Sequence, residues 1–337
     1  MSQKFNIAVL GAESIVGTAM VEVLEERDFP IDTLFLLGSE ENEGESQKFK
    51  NRSVAQTNVA DFDWSQVHLA LFATDEQTAL EWAPTAADFG VVVIDSSGAF
   101  NQQYDIPLVV PEVNPETLAE YRNQNIIAVP TSNVTEMLVA LKPIYDAVGI
   151  ERINVSTYQS VSGSGKAGID ELAGQTAKLL NGLPAENSAY DKQIAFNCLP
   201  QTGGLLDNGY TREEMELVLG AQKVLADESV TVNPTCVRIP VFYGDGMSLH
   251  IETAQPSSAE EITSILEQAE GVILFPNGDY PTAVGDVTGS SDVMIARVRE
   301  DISHVSGINL WLVADNVRKG IAINTVKTAE VLVRDYL

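Results

Sequence analysis

A short, nearly unbroken apolar run opens the chain: FNIAVL, Phe5 to Leu10, followed by the turn GAESIVG and by Met20, Val21 and Leu24 at helical spacing. A run apolar on both faces suits a central parallel strand, so the start reads as strand, glycine turn and helix. The pattern repeats. Apolar strands are predicted over Thr33 to Leu37, His68 to Ala73, Val91 to Asp95 and Ile126 to Val129, with a helix through Leu80, Trp82 and Ala86 between two of them. Strands alternating with helices at this spacing predict a doubly wound, Rossmann-like domain.

From Ile153 the periodicity changes. INVSTYQS, TVNPTCVRIPVFYG, MSLHIETAQ, DVMIARVRE and INLWLVAD alternate or are rich in β-formers, which predicts a second, mixed or largely antiparallel sheet. Helices are predicted over Ala167 to Leu180, Thr211 to Ala226 with a Thr211/Glu214 capping box, and Ser258 to Gln268. The expected fold class is therefore α/β: an N-terminal Rossmann-like dinucleotide-binding domain over 1–132 and an α+β domain with a mixed sheet over 133–315.

Composition adds limits. A chain of 337 residues with 45% apolar residues can bury two ordinary domain cores. Its net charge of −28 argues against partners that are nucleic acid or anionic membrane. No apolar stretch approaches a membrane span and no leader precedes the first strand, so a cytoplasmic protein is expected. Cys198 and Cys236 form neither a disulfide framework nor metal-ligand spacing, and no metal is expected; both thiols read as buried and reduced.

The stretch with most chemistry in it is NIIAVPTSNVTEMLVALKP, Asn125 to Pro143: a buried strand, a turn and a helix, with Asn133 and Glu136 spaced as a capping box. A group at Thr131 or Ser132 would sit beside free amides at the positive end of that helix. Here the chain resembles the aspartate-semialdehyde dehydrogenase family, whose nucleophile turn reads Asn-Cys-Ser-Thr after the proline. The resemblance continues through PLVVPEVN, VALKPIYDAVGIERINVSTYQSVSG, QIAFN and CVRIPV. It implies that the second domain serves dehydrogenase chemistry and dimerisation, that a C-terminal helix over 316–337 completes the first domain, and that NADP is the cofactor.

Carried residue by residue, the resemblance puts Ser132 at the position of the nucleophilic cysteine and Asp245 at that of the acid/base histidine. Gln159 falls beside the reacting carbon, Arg238 at the substrate carboxylate and Glu213 at its ammonium group, a pair that suits an amino-acid-like zwitterion. Asn101, Thr131 and Glu216 stand where the family binds phosphate. The cofactor turn is Gly11, Glu13, Ser14, Ile15, Val16 and Gly17, in which Ser14 stands for the family's middle glycine and is expected to obstruct the approach to a pyrophosphate that Glu13 repels; Ser162, Gly163 and Asn316 fall near the nicotinamide. Glu41 and Glu45, within the four carboxylates of Gly38 to Ser46, replace the cations expected at a ribose phosphate.

A serine hydroxyl needs a positioned base where a thiolate does not. His68, His250 and His304 read as structural. A glutamate in place of lysine reverses the local field. From these losses the sequence predicts a Usg-type homologue without the catalytic cysteine, inactive with NADP and phosphate, cofactor binding in doubt. Such a pseudoenzyme would bind an amino-acid-like ligand as a homodimer or as a heteromer with an active paralogue. The alternative is a working NAD(P)-dependent aldehyde oxidoreductase of amino-acid biosynthesis, or a Ser132-dependent acyl-transfer enzyme.

Overall fold

The computed structural model describes residues 3–337. They form two compact units: 3–131 with Ile321–Leu337, and Ser132–Gly320.

The first unit is built on seven strands: β1 Phe5–Leu10, β2 Ile31–Gly38, β3 Ser46–Phe49, β4 Arg52–Asn58, β5 Leu69–Phe72, β6 Val92–Asp95 and β7 Ile126–Ala128. Their order is β3-β4-β2-β1-β5-β6-β7, parallel throughout except for the antiparallel β3–β4 hairpin. β1, β5 and β6 are buried along nearly their whole length, which is why they appear as continuous apolar runs. Helices α1, Ile15–Glu26, and α2, Glu76–Asp88, begin on Ser14 and Asp75, whose side chains accept amides of the first turn. The β3–β4 hairpin was not anticipated. Its strands are mostly polar and exposed, so no apolar alternation marks them, and its two-residue turn uses Lys50 and Asn51 at φ 45° and 61° in place of the usual glycine.

The second unit carries a six-stranded mixed sheet, ordered β11-β12-β13-β10-β8-β9. These strands are β8 Ile150–Gln159, β9 Thr231–Arg238, β10 Asp245–Thr253, β11 Val272–Leu274, β12 Val293–Glu300 and β13 Gly307–Ala314. Pairing is antiparallel for β8–β10–β13–β12 and parallel for β8–β9 and β11–β12. The helices are α3 Ser132–Val148, α4 Gly165–Leu180, α5 Arg212–Leu225 and α6 Ala259–Leu266. The Thr211/Glu214 capping box of α5 is present with both of its hydrogen bonds. The box expected at Asn133 and Glu136 is not. α3 starts at Ser132, so Asn133 lies inside the first turn, and neither its Oδ1 nor either Glu136 oxygen has a hydrogen-bond partner.

The chain returns to the first unit through a π-helical segment, Arg318–Ile323, and α7, Asn324–Asp335. Val326, Ala329 and Leu332 of α7 are fully buried in that unit's core. Burying such side chains contributes about 1.5–3 kcal/mol each for the larger ones. Polar ties fix the helix further: Lys327 to Glu112 at 2.7 Å, a two-pronged Arg27–Glu330 pair at 2.8 and 2.7 Å, and Asn324 donating to the Val109 carbonyl.

Candidate active site

In the first unit the β1–α1 turn has the backbone that a dinucleotide requires. Gly11 has φ +77°, and a Cβ there would stand 2.4 Å from the Ala73 carbonyl oxygen; one on Gly17 would stand 2.1 Å from that of Gly11. Both positions need glycine for close approach. Ser14 behaves differently from expectation. Its hydroxyl accepts the Gly17 amide at 2.9 Å and donates to Ala73 O at 3.0 Å, so the side chain folds into the cap of α1. Ile15 and Val16 follow, half-buried, and no acid lies in the first turn of α1. Glu13 is exposed, and its carboxylate accepts from Gln56 Nε2 at 2.7 Å. These residues therefore fit the pyrophosphate of a dinucleotide at a helix N-terminus.

Elsewhere in this unit Asn101 is buried in the segment after β6, and Thr131, half-exposed, follows β7. Asp95, at the end of β6, is pushed up to about 6 by burial, against the opposing hydrogen bond from Ser97.

The second unit gathers Gln159, Ser162, Gly163, Arg238, Asp245 and Asn316 around Ser160. Arg238, 5% exposed at the end of β9, donates from Nη1 to the Ser160 carbonyl at 2.7 Å, while its Nη2 faces Glu213 Oε1 at 3.6 Å. Gly163 lies against the guanidinium: a Cβ there would meet Nη1 at 2.7 Å. Asp245 accepts at Oδ1 from the Ser160 amide at 2.8 Å and from Ser160 Oγ at 3.0 Å. Asn316 accepts from the Gly244 amide and bonds Ser162, so the turn before β10 and the turn after β8 are locked together. Gln159 is buried with its Nε2 free of any partner. The Arg238–Glu213 pair borders a cleft of about 740 Å³ that Lys192, Gln201 and Thr202 also line.

Burial raises Asp245 to about 6; the Ser160 bonds and Arg238 oppose that shift and Glu213 adds to it. Its carboxyl thus titrates in the range where an ordinary imidazole does, near 6.5.

Ser132 is the first residue of α3 and is half-exposed. One turn on, Glu136 is fully buried and both of its oxygens lack partners. Burial, with Asp245 and Asp315 nearby, pushes it well above the usual carboxylate range against the pull of Lys319. Gly320 fits against both residues: a Cβ on it would stand 2.4 Å from Ser132 Cβ and 2.8 Å from Glu136 Oε1. Sequence reasoning missed Glu136 as a buried acid. The signal was a carboxylate inside the otherwise apolar helix VTEMLVALKP, four residues from Ser132 and hence on the same face.

Other candidates are engaged elsewhere. Glu216 pairs with Arg212 at 3.5 Å across one turn of α5. His250 bonds Asn154 and Asp301, His68 accepts the Asn6 amide, and His304 accepts the Ser306 amide. Cys236 is buried and its thiol is pushed up to about 12, but Cys198 is exposed, contrary to the expectation of two buried thiols. Among the described residues no group of three or more His, Cys, Asp or Glu is arranged to hold a metal ion. Among them, too, no helix is long and apolar enough to cross a membrane.

The geometry defines a two-domain α/β protein with a Rossmann-like unit and a cleft bordered by a buried arginine in the second unit, and sequence profiles name the class as dehydrogenase. Residues 6–121 match the description "Semialdehyde dehydrogenase, NAD binding domain" and residues 141–319 match "Semialdehyde dehydrogenase, dimerisation domain". Aspartate-semialdehyde dehydrogenase 2 of Vibrio cholerae is 61% identical over 100% of both chains, and aspartate-semialdehyde dehydrogenase of Vibrio mimicus is 59% identical over 94% of this chain and 100% of its own. The crystal structure of the V. cholerae enzyme II complexed with ASA superposes with a TM-score of 0.99, at 61% identity and full coverage of both chains. The chain belongs to the aspartate-semialdehyde dehydrogenase family, and its first unit carries that family's NAD binding domain.

These relatives correct the expectation of an inactive, Usg-type pseudoenzyme. Proteins matched over 94–100% of this chain at 59–61% identity carry the dehydrogenase's name. The physical ground for the expectation also weakens. It took Asp245 for an ordinary carboxylate and Ser14 for an obstruction, whereas the first titrates near 6 and the second caps α1.

Proposed function

We propose that the chain is an NAD(P)-dependent oxidoreductase acting on a short amino-acid aldehyde of the aspartate-semialdehyde type. The single observation that carries this reading is Arg238: buried, oriented by the Ser160 carbonyl, and beside Glu213 at the border of a cleft of about 740 Å³. A fixed guanidinium fork with a carboxylate next to it offers partners for the carboxylate and the ammonium of a zwitterion.

In this reading Ser132 is the attacking group and Asp245, ionised above about pH 6, receives a proton during attack. Gln159, with its unpartnered Nε2, donates to the substrate's reacting oxygen. A bound nicotinamide would supply the hydride acceptor, and water or phosphate would then displace the acyl group and return the proton to the Ser132 oxygen. Serine at the nucleophile position favours, as a second reading, acyl transfer without a dinucleotide.

The protein is proposed to act as a homodimer in the cytoplasm, in amino-acid biosynthesis. The match to a dimerisation domain supports the dimer, and sedimentation at several concentrations tests it. The catalytic test is turnover of aspartate semialdehyde with NADP or NAD, with and without phosphate, in wild type, Ser132→Ala and Arg238→Ala. Dinucleotide reduction that both substitutions abolish supports the oxidoreductase. Acyl transfer without dinucleotide reduction supports the second reading, and no turnover under any condition overturns both.

A further inference from the structure

The family match brings a dinucleotide to the first unit, but discrimination for or against a 2′-phosphate is made at the carboxyl end of the second strand of such a fold. There an acid takes the free ribose hydroxyl, or an arginine takes the phosphate. In this chain that place is Gly38, the last residue of β2. Two side chains converge directly over it. A Cβ on Gly38 would lie 1.7 Å from Gln56 Nε2 and 2.9 Å from Glu13 Oε2.

Glu13 is held there. Gln56, 3% exposed on the adjoining strand β4, is paired in register with Leu36 and donates to Glu13 at 2.7 Å. A buried amide therefore orients an exposed carboxylate at the strand end. The chain leaving β2 adds Glu40, Glu41, Glu43 and Glu45, all exposed.

The nearest cations in sequence are badly placed to offset this. Lys50 pairs with Asp28 at 3.0 Å. Lys48 lies opposite Ser53, and Arg52 is at the far end of β4. At about 3.3 Å per residue those two positions are on the order of 10 Å or more along the strand from Gln56.

We propose that the first unit selects NAD over NADP: Glu13, oriented by Gln56, accepts a hydrogen bond from the ribose 2′-hydroxyl, and with the glutamates of residues 40–45 it repels a 2′-phosphate. The inference rests on the dinucleotide reading above. It departs from the NADP of the family resemblance because of this chain's own residues, since the charged side chains set around Gly38 and residues 40–45 are carboxylates and a phosphate carries nearly two negative charges.

Fluorescence titration of the full-length protein with NADH and NADPH, at low and high salt, tests it without requiring turnover. NADH should bind at least tenfold more tightly at low salt, and the gap should narrow as salt screens the exposed acids. Glu13→Thr combined with Glu41→Arg should shift the NADH to NADPH affinity ratio at least tenfold towards NADPH. Gln56→Leu, which changes no charge, should weaken NADH selectively. NADPH binding as tightly as NADH to the wild type, or a ratio unmoved in the double variant, overturns the selectivity alone. Failure of both nucleotides to bind at millimolar concentration overturns the dinucleotide reading with it.

Discussion

Asp245 receives two hydrogen bonds from one residue, the amide and the hydroxyl of Ser160, and still titrates near 6 because burial outweighs them. If the ionised form is the base, turnover should climb as pH rises through about 6 and level off above it. Asp245→Asn should lose that limb together with about 10²-fold or more of kcat. A pH–rate profile of the variant that keeps the wild-type limb would remove Asp245 from proton transfer.

Arg238 offers the geometry of a fork and not only a charge. Arg238→Lys keeps the cation but loses the simultaneous reach to Ser160 O and Glu213, so KM should rise about tenfold or more while kcat changes less. Steady-state kinetics decide it: equal falls in kcat and kcat/KM would mean that the arginine acts only in the transition state.

Gly320 has no space for a methyl group. Gly320→Ala would press on Ser132 and Glu136 at distances that real Cβ atoms do not show. Displacing the start of α3 should cost about 1–3 kcal/mol, as over-packing generally does. Denaturant melting reads this directly, and an unchanged midpoint would show that the helix start yields freely.

Asp95 gives a stability test within the first unit. Its folded pKa of about 6 lies above the ordinary 3.8. Between those values the folded protein holds a proton that the unfolded chain releases, so this group's contribution to stability falls as pH rises from about 4 to about 6 and is level beyond. Asp95→Asn should therefore be more stable than wild type at pH 8, by up to about 3 kcal/mol, with the gain fading towards pH 4. Thermal melts at the two pH values measure the difference.

The central parallel strands of the first unit were legible because burial on both faces leaves a short apolar run bounded by turns, as in FNIAVL and HLALFA, whereas β4, parallel to β2 but polar and largely exposed, left no such run. The capping box of α5 was legible because Thr211 and Glu214 stand where an apolar-periodic segment begins. The same spacing misled at Asn133 and Glu136. There the helix starts one residue earlier and the glutamate faces inward, a matter of tertiary packing against Gly320 that local spacing does not encode. Substitutions were legible as residue types but not as environments. Asp245 reads as a lost histidine until its burial is known, and Ser14 reads as an obstruction until its hydroxyl is seen turned into the helix cap.

The segment Ser132–Gly320 begins and finishes at residues that touch each other. A module whose two ends meet in this way can be lifted out and the gap closed with a very short peptide, or reopened at one of its surface turns with the old ends fused. Either construction would carry the residue at the attacking position to a seam, and so would show whether that seam or the surrounding sheet holds it in place.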